Sequence, residues 1–417
     1  MIRGLKAGIG RNRVVLSNFG YLSALQLVTV LLPLATYPYL IRILGAELWG
    51  KVVLAQTIVG YFVIFLNFGF DISATKEVAV NRDNKEKLSE VISSVFIIKT
   101  FFLVASAAIL IIMIALIPAI RKELWLYIFS FGLCINEWIF PIWYFQGIER
   151  MKYITYINLI SKVIFFLLIF LVIKAKDDYL FVPLLNGTGA LIGGLVSIWV
   201  VFGNHKIQFK VPKLKNLVPI IKESFPLFTS KAIISVKDRF NVIFIGVLLG
   251  NAEIAFYDLG IKLVNLFSVF VDTVNKVIYP KIAREKRMGF LKKSIIVIFT
   301  IVLILVFVAQ ITLSKIVLFL GGHEMLGAID TIRILLFAPI FFSVGIPLAR
   351  NLMILFGKTK AYLFSVILTV VFYLTLIGLL YLIPSIRKVE VFAIVVVAVY
   401  GFETIYRLFY CKKVELL

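Results

Sequence analysis

Residues 294–320 read SIIVIFTIVLILVFVAQITLSKIVLFL and contain a single charged residue, Lys315. A helix of about 20 apolar residues crosses the hydrocarbon core of a bilayer. Lipid offers the backbone no hydrogen-bond partners, so a spanning segment must be a helix or part of a closed barrel. Barrel strands are shorter and alternate in polarity, so this uninterrupted run predicts a transmembrane helix.

Eleven further stretches of the chain have the same character. The sequence therefore predicts an all-α integral membrane protein with about twelve transmembrane helices. An even number of crossings places both termini on one side of the membrane. The predicted spans, in chain order, are 14–40, 51–75, 91–117, 124–146, 153–173, 180–203, 223–249, 254–280, 294–320, 328–356, 361–382 and 390–410.

The composition agrees with a membrane protein. The chain has 417 residues, of which 61% are hydrophobic and 16% are charged. A soluble protein would be about half apolar and about a quarter charged. The net charge of +22 would suggest nucleic acid as a partner of a soluble chain. Cytoplasmic loops of membrane proteins collect Lys and Arg, so no nucleic-acid partner is predicted here.

The basic residues outside the spans are distributed unevenly between the two sides. They concentrate at the termini and in the loops that follow even-numbered spans, such as 76–87 and 281–293. The loops that follow odd-numbered spans hold few: Arg42, Arg121, Lys122, Lys174, Lys176, Arg387 and Lys388. The positive-inside rule then predicts that both termini are cytoplasmic. The first apolar run is far longer than the core of a signal peptide, so we expect it to be a retained span.

The longest basic connection, 204–222, lies at the middle of the chain. We expect it to link an N-terminal six-helix lobe, 1–203, to a C-terminal six-helix lobe, 223–417, around a central cavity. A short internal echo favours this division: Leu44-Gly45-Ala46-Glu47 follows the first span, and Leu249-Gly250-Asn251-Ala252-Glu253 follows the seventh. Paired lobes around a site near the bilayer midplane are typical of secondary transporters.

Several charged residues fall inside the predicted spans, where a charge near the bilayer centre costs at least about 2.5–3.5 kcal/mol. Some have a structural explanation, because Asp272 and Lys276, and likewise Glu403 and Arg407, are spaced to pair along one helix face. Asp330 with Arg333, and Glu137 with Lys162, are further candidates for pairing.

A positive excess remains after such pairing. The candidate substrate-binding cations are Lys99, Lys162, Lys231, Lys237, Arg239, Lys262 and Arg350. We expect Lys231, Lys237, Arg239 and Lys262 to line a common cavity. Such a cavity would attract an anion, and a phosphate or diphosphate group is the natural candidate because Arg and Lys both bind it.

Other chemistries lack their motifs. Gly357-Lys358-Thr359 resembles the end of a Walker A motif, but Leu352 stands where its first glycine belongs. His205 and His323 are isolated in the sequence, so neither a metal site nor histidine-based catalysis is predicted. We expect neither a cofactor nor enzymatic activity.

Two motifs resemble a known family. Residues 143–152, WYFQGIERMK, are similar to the W-[FY]-F-Q-G-[LI]-E-x-M-K segment of Wzx-type O-antigen flippases. Residues 44–50, LGAELWG, are similar to the turn after the first span of the same proteins. These flippases form the polysaccharide-transport branch of the multidrug/oligosaccharidyl-lipid/polysaccharide (MOP) exporter superfamily.

The resemblance implies a lipopolysaccharide-biosynthesis flippase of the bacterial inner membrane. Its substrate would be an undecaprenyl-diphosphate-linked oligosaccharide, the O-antigen repeat unit, moved from the cytoplasmic to the periplasmic leaflet by alternating access. Membrane lipids, and other membrane proteins of polysaccharide assembly, would be its partners. If transport is coupled to a cation, titratable carboxylates are required, and the candidates are Asp71, Glu137, Asp238 and Asp272.

Alternative functions stay open at this point. A cation-coupled multidrug antiporter of the same superfamily would favour an acidic or aromatic cavity, in contrast to the basic excess here. A membrane polysaccharide polymerase or ligase usually carries a large periplasmic loop, which this sequence lacks. A major-facilitator transporter has the same helix count, but residues 76–87, KEVAVNRDNKEK, lack the glycine-flanked Asp-Arg loop of that class.

Overall fold

A computed structural model describes residues 2–285 and 288–414, without the side chains of residues 2–19, 22–27, 30, 214, 236–238, 280, 281, 283 and 285. Within these ranges the chain forms helices joined by turns and short irregular segments, and none of the described residues lies in a β-strand. The predicted all-α class is confirmed.

The chain divides into two compact units. Unit 1 contains residues 1–36 and 55–232, and unit 2 contains residues 37–54 and 233–417. The helix that begins at Leu214 starts inside the segment 204–222 that the sequence predicts as a linker. The assignment of 1–203 and 223–417 as functional lobes stays a prediction.

The described residues of unit 1 form ten helices, the first and last of which also contribute to unit 2. A 3-10 turn, Lys176–Leu180, precedes α9, and a π-helical turn, Trp199–Asn204, follows it. The helices are α1 (Ile2–Asn67), α2 (Phe70–Val80), α3 (Lys85–Leu116), α4 (Pro118–Lys122), α5 (Leu124–Ser130), α6 (Gly132–Ile139), α7 (Ile142–Gly147), α8 (Met151–Val172), α9 (Phe181–Ile198) and α10 (Leu214–Leu248).

In the part of unit 2 that the structure describes, six helices follow α10. Short 3-10 segments, His323–Ala328 and Pro384–Ile386, precede α13 and α16, and a π-helical segment, Leu348–Ile354, extends α14. The helices are α11 (Asn251–Glu285), α12 (Met288–Gly321), α13 (Ile329–Leu335), α14 (Ala338–Pro347), α15 (Thr359–Leu382) and α16 (Val389–Lys413).

Ten helical stretches among the described residues are long and apolar enough to cross a membrane. This identifies a multi-pass membrane protein, although the count of twelve spans is not confirmed. The first two predicted spans share one stretch, Leu31–Val80. The seventh falls in α10, where Arg239–Leu248 qualifies only as a shorter apolar helix; α10 also contains Pro219 and Pro226.

Gly45 separates the first two predicted spans without a loop. Its φ of 77° and ψ of 169° interrupt α1, and residues on both sides are helical. A Cβ at this position would lie 2.7 Å from Glu324 Oε2. The predicted connection at 41–50 is therefore a sharp bend within a helix, because glycine adopts positive φ without steric cost.

Close packing of α8 against α9 depends on small residues. A Cβ on Gly189 would lie 2.5 Å from the carbonyl oxygen of Ser161, which leaves no room for a side chain. Gly193 of the same helix also faces Ser161. Small residues let transmembrane helices approach closely, which explains the tight contact between α8 and α9.

The outer surfaces of the long helices are apolar. Val104, Ile111 and Leu116 of α3 are each more than 60% exposed, as are Phe307 and Ile311 of α12. A soluble protein rarely exposes apolar area on this scale. These faces fit a hydrocarbon environment, which places polar contacts in the interior of each unit.

Candidate functional site: a charge chain in unit 1 and a polar cavity in unit 2

A helix break in unit 1 places Asp71 at the start of a helix. Phe68 and Gly69 have φ values of 45° and 81°, which end α1 and start α2 at Phe70. Asp71 lies in the first turn of α2, where the positive end of the helix dipole stabilises a carboxylate. Broken helices of this kind frame the sites of many transporters.

A second break lies beside Glu137. Pro141 lacks a backbone N–H, and both it and Phe140, with ψ of 69° and 98°, leave the helical region. Proline disfavours the helical conformation in the residue before it, so α6 ends at Ile139. The predicted fourth span, 124–146, is thus not one helix but α5, α6 and α7.

Five polar side chains from five helices form one hydrogen-bonded chain, which we call the charge chain: Lys231, Asp71, Asn67, Glu137 and Lys99. Lys231 Nζ donates to Asp71 Oδ2 at 2.6 Å and to Asn67 Oδ1 at 3.1 Å. Asn67 Nδ2 donates to Glu137 Oε1 at 3.1 Å. Lys99 Nζ donates to the same carboxylate oxygen at 2.7 Å.

The charge chain compensates its own charges, since it holds two cations and two carboxylates. Glu137 pairs with Lys99, so the alternative that it pairs with Lys162 is wrong. Lys99 is only 1% exposed, and a buried charge of this kind requires a partner. One position in the chain is open: Asp71 Oδ1 is buried and makes no hydrogen bond to a described residue.

In unit 2, two carboxylates form salt bridges with cations that the sequence places inside the spans. Asp272 accepts from Lys276 at 2.7 Å and from Arg350 at 2.8 Å, which confirms the pairing with Lys276. Asp258 accepts from Lys262 and, at 2.9 Å, from Trp49 Nε1.

The Lys262 ammonium also lies over two aromatic rings. It is 5.2 Å from the centroid of Tyr37 and 5.4 Å from that of Trp49. Cation–π attraction therefore supports the pair with Asp258.

The other two proposed intrahelical pairs also form. Glu403 pairs with Arg407 in α16, and Asp330 pairs with Arg333 at 3.2 Å.

A polar cavity of about 580 Å³ lies within unit 2. Its described polar lining contains one charged residue, Arg239, which makes no ion pair with the described part of the chain. The remaining polar groups are hydroxyls and one amide. The polar lining consists of Arg239, Ser235, Tyr257, Asn265, Ser268, Tyr373 and Tyr400.

Buried Asn241 positions two of the cavity tyrosines. Its Nδ2 donates to Tyr257 OH at 2.9 Å, and Tyr373 OH donates to its Oδ1 at 2.7 Å. Both bonds are buried, so the amide fixes the two rings from helices α11 and α15. Hydroxyl and amide groups around one guanidinium can bind a sugar and its phosphate together.

The remaining candidate residues from the sequence, Lys162, Lys237 and Asp238, belong to neither the charge chain nor the described lining of the cavity. Lys162 is partly buried in α8 and has no ion pair among the described residues. The side chains of Lys237 and Asp238 lie outside the described residues. The number of positive charges without a carboxylate partner is therefore smaller than the sequence predicts. Four of the predicted cations each contact a carboxylate: Lys99, Lys231, Lys262 and Arg350.

Residues 15–286 match the family described as polysaccharide biosynthesis protein. This range is more than half of the chain and includes all of the charge chain. The chain belongs to the polysaccharide biosynthesis protein family. The family assignment drawn from the two sequence motifs is confirmed.

Two curated relatives carry the name “putative O-antigen transporter”. The protein from Escherichia coli (strain K12) is 28% identical over 285 residues, which cover 67% of this chain and 68% of that protein. The protein from Shigella dysenteriae is 25% identical over 261 residues, which cover 61% of this chain and 64% of that protein.

Solved structures of the MOP superfamily share the fold of this family member. A multidrug resistance MATE family transporter, inward-facing, superposes with a TM-score of 0.72 at 13% identity, over 92% of this chain and 94% of that one. The lipid II flippase MurJ, inward closed, gives 0.73 at 14% identity, over 96% and 87%. These likenesses establish the fold.

Sequence reasoning missed several residues of the two sites. Asn67 joins the halves of the charge chain, and Asn241 holds the cavity tyrosines. Both are amides inside apolar spans, a signal that a search restricted to charged residues overlooks. Among the described residues of this protein, no group of three or more His, Cys, Asp or Glu side chains could hold a metal ion.

Proposed function

We propose that this protein flips a lipid-linked oligosaccharide across the bacterial inner membrane. The substrate is an undecaprenyl-diphosphate-linked O-antigen repeat, which moves from the cytoplasmic to the periplasmic leaflet by alternating access. Support comes from the family, from the names of the two curated relatives and from the fold shared with a lipid II flippase. Both termini are cytoplasmic in this proposal.

The observation that carries the proposal is the cavity around Arg239. A saccharide presents hydroxyls, and a diphosphate presents anionic oxygens, so the substrate headgroup needs donors, acceptors and a cation. The serine, asparagine and tyrosine side chains of the cavity supply the first two, and Arg239 supplies the third. The polyprenyl tail needs no polar site because it can stay in lipid.

The same cavity argues against the antiporter alternative. A cationic drug would require a carboxylate or an unopposed aromatic face near the bound charge. The described lining contains no Asp or Glu, and it contains Arg239. An anionic substrate is therefore favoured, although the fold is also that of multidrug transporters.

The charge chain is the proposed coupling device. Protonation of Asp71 or Glu137, or entry of a sodium ion at the open Asp71 Oδ1, would weaken the contacts to Lys231 and Lys99. The chain joins α1, α2, α3, α6 and α10, so such a change would alter how these helices are held together. Asp272, bound to Lys276 and Arg350, is a second candidate carboxylate in unit 2.

The protein acts without a catalytic step in this proposal. It binds and releases its substrate unchanged, and its partners are the lipid-linked oligosaccharide, the surrounding lipids and other membrane proteins of polysaccharide assembly.

Complementation of a flippase-deletion strain tests the proposal. Intact spheroplasts are treated with a membrane-impermeant oxidant of the sugars, and the lipid-linked repeats are then extracted to measure the fraction that was exposed on the outer face. We expect the wild-type protein to restore outer exposure and Arg239→Ala to lower its rate at least about tenfold, because a charged hydrogen bond is worth about 1.5–3 kcal/mol.

Arg239→Lys keeps the charge and should retain part of the rate. Arg387→Ala removes a partly buried arginine that contacts Tyr381, away from the cavity lining, and should behave as wild type. Normal exposure with Arg239→Ala would remove the cavity from the mechanism. Accumulation of single repeats already on the outer face of the deletion strain would favour a polymerase or ligase.

A further inference from the structure

A second polar cavity, of about 490 Å³, lies in unit 1 beside the motif at residues 143–152. It is distinct from the charge chain, since none of the five residues of that chain lines it. Its polar lining comes from α7, from the residues around the starts of α3 and α8, and from the segment that follows α9. The residues used below are Arg82, Lys85, Tyr144, Arg150 and His205.

The turn between α7 and α8 brings Arg150 to this cavity. Glu149 has a φ of 58°, and Arg150 N donates to Phe145 O at 2.9 Å. A Cβ on Gly147 would lie 2.5 Å from Val78 Cγ1, so α7 packs directly on α2. The Gln-Gly-Ile-Glu-Arg sequence of the motif thus builds a tight turn that presents one guanidinium.

The cations of the cavity are unequally compensated. Arg82 contacts Glu149 at 3.5 Å and Asp83 at 3.8 Å. Lys85 and Arg150 pair with no carboxylate of the described residues. The three cations Arg82, Lys85 and Arg150 face two carboxylates, Asp83 and Glu149, so the cavity carries a positive excess of one charge.

The hydrogen bonds of His205 show that it adds no charge. Arg150 Nη1 lies 3.3 Å from His205 Nε2, and Tyr144 OH lies 2.9 Å from Nδ1. Arginine can only donate, so Nε2 accepts and Nδ1 carries the proton. Burial lowers the pKa of His205, and the nearby Arg150 and Lys85 lower it further, which fits the same positive surroundings.

Helix dipoles add to the field at this place. At the start of α3 the Asn84 side chain accepts from Glu86 N and Lys87 N, whereas α8 begins after Arg150 without a side-chain cap. The unsatisfied N–H groups of a helix start attract anions. Both helices are long, and both direct their positive ends at the cavity that also holds Lys85 and Arg150.

We propose that this cavity binds a phosphate-bearing anion, at a site separate from the Arg239 cavity. Arg150 supplies a planar fork for phosphate oxygens, and Lys85 supplies a second, mobile charge. The cavity lies at the end of unit 1 whose loops the charge bias assigns to the cytoplasm. The phosphate could belong to an anionic lipid headgroup at that surface or to a diphosphate arriving from the cytoplasm.

Calorimetric titration of inorganic pyrophosphate into the purified full-length protein tests the site. The measurements use the Arg239→Ala background, so that the cavity of unit 2 does not compete. We expect saturable binding in that background and about tenfold weaker binding for each charge removed by Lys85→Gln and Arg150→Gln. Lys174→Gln and Lys388→Gln remove exposed lysines elsewhere and should leave the affinity unchanged.

Charge-conserving variants separate binding from folding. Lys85→Arg and Arg150→Lys should retain most of the affinity, with elution from size exclusion like that of the parent. The proposal is overturned if the parent shows no saturable binding, or if the Lys85→Gln/Arg150→Gln protein binds pyrophosphate as tightly as the parent.

Nanodiscs distinguish the two sources of phosphate. If phosphatidylglycerol in a phosphatidylcholine bilayer suppresses pyrophosphate binding, the lipid headgroup is the ligand. If pure and mixed bilayers give the same affinity, the ligand is a diphosphate from solution or substrate. Both results support the site, and neither depends on transport, so failure of the proposed flippase function would leave this test intact.

Discussion

Lys99 Nζ lies 2.7 Å from Glu137 Oε1 and 2.8 Å from the carbonyl oxygen of the same residue. The Lys99 side chain is almost fully buried, whereas that of Glu137 is 19% exposed. One ammonium thus satisfies both the side chain and the backbone of α6, four residues before Pro141 breaks the helix.

Removal of this ammonium should strongly destabilise the protein. Lys99→Met leaves Glu137 without its cation, and loss of one partner of a buried pair costs about 3–5 kcal/mol. Glu137→Gln in addition should recover part of that loss, because the amide carries no charge. The free energy of unfolding in mixed detergent micelles measures both effects.

An exposed pair provides the control. Lys87 and Glu90 lie 2.9 Å apart in the same helix, with both side chains about half exposed. Lys87→Met should change the free energy of unfolding by less than about 1 kcal/mol. Equal losses for Lys87→Met and Lys99→Met would contradict the role given to burial.

The packing of α8 on α9 gives a second prediction. Gly189→Ala places a methyl group 2.5 Å from the Ser161 carbonyl oxygen, and the backbone must shift to accept it. We expect a loss of about 1–3 kcal/mol in the free energy of unfolding, which is typical of overpacking. Gly378→Ala is the matched control, since no atom lies within 4 Å of the added Cβ; a comparable loss there would refute the steric explanation.

The sequence predicts the class of this fold well and its helix breaks less well. Apolar runs of spanning length show where the chain crosses the bilayer, so the length and apolar character of these runs are enough to predict a membrane protein. Gly45 and Phe68 interrupt helices through positive φ values. Phenylalanine rarely adopts such a value, so the identity of residue 68 does not predict the break that places Asp71 at the start of α2.

Some charge pairs can be predicted from the sequence, and others cannot. Asp272 with Lys276, and Glu403 with Arg407, follow from a spacing of four along one helix. Lys99 with Glu137, and Lys231 with Asp71, join residues far apart in the sequence. These partners depend on which helices are neighbours, which helical periodicity does not specify. The positive excess expected from the sequence is too large for that reason.

Asp71 offers a direct test of coupling. Asp71→Asn removes the negative charge that holds Lys231 at 2.6 Å and, with it, the carboxylate that could take a proton or neutralise a sodium ion. We expect the stimulation of flipping by an ion gradient to fall by about tenfold, within the usual range of coupling free energies. Outer-face exposure of lipid-linked repeats is measured before and after an ionophore collapses the gradient.

Asp83→Asn controls for the loss of one carboxylate. Its side chain is 97% exposed, so its removal should leave the ionophore response unchanged. An undiminished response in Asp71→Asn would exclude Asp71 as the coupling group and would direct attention to Glu137 and Asp272.

The protonation of His205 gives the last prediction. Burial, then Arg150 and Lys85, hold the pKa of His205 below the value of about 6.5 for an exposed imidazole. In the window between the two values the unfolded chain binds more protons than the folded one. The contribution of neutral His205 to stability is therefore complete above about pH 6.5 and is lost as the pH falls.

A titration of ring-labelled histidines by NMR measures this pKa, and His323→Gln assigns the signals. We expect Arg150→Gln to raise the pKa of His205, because the nearby positive charge is gone and Nε2 no longer accepts from a guanidinium. His205→Gln should flatten the fall of stability on the acid side of about pH 6.5. A pKa of His205 at or above that of an exposed imidazole would show that the folded protein does not disfavour the charged ring, which would contradict a hydrogen bond from Arg150 to Nε2.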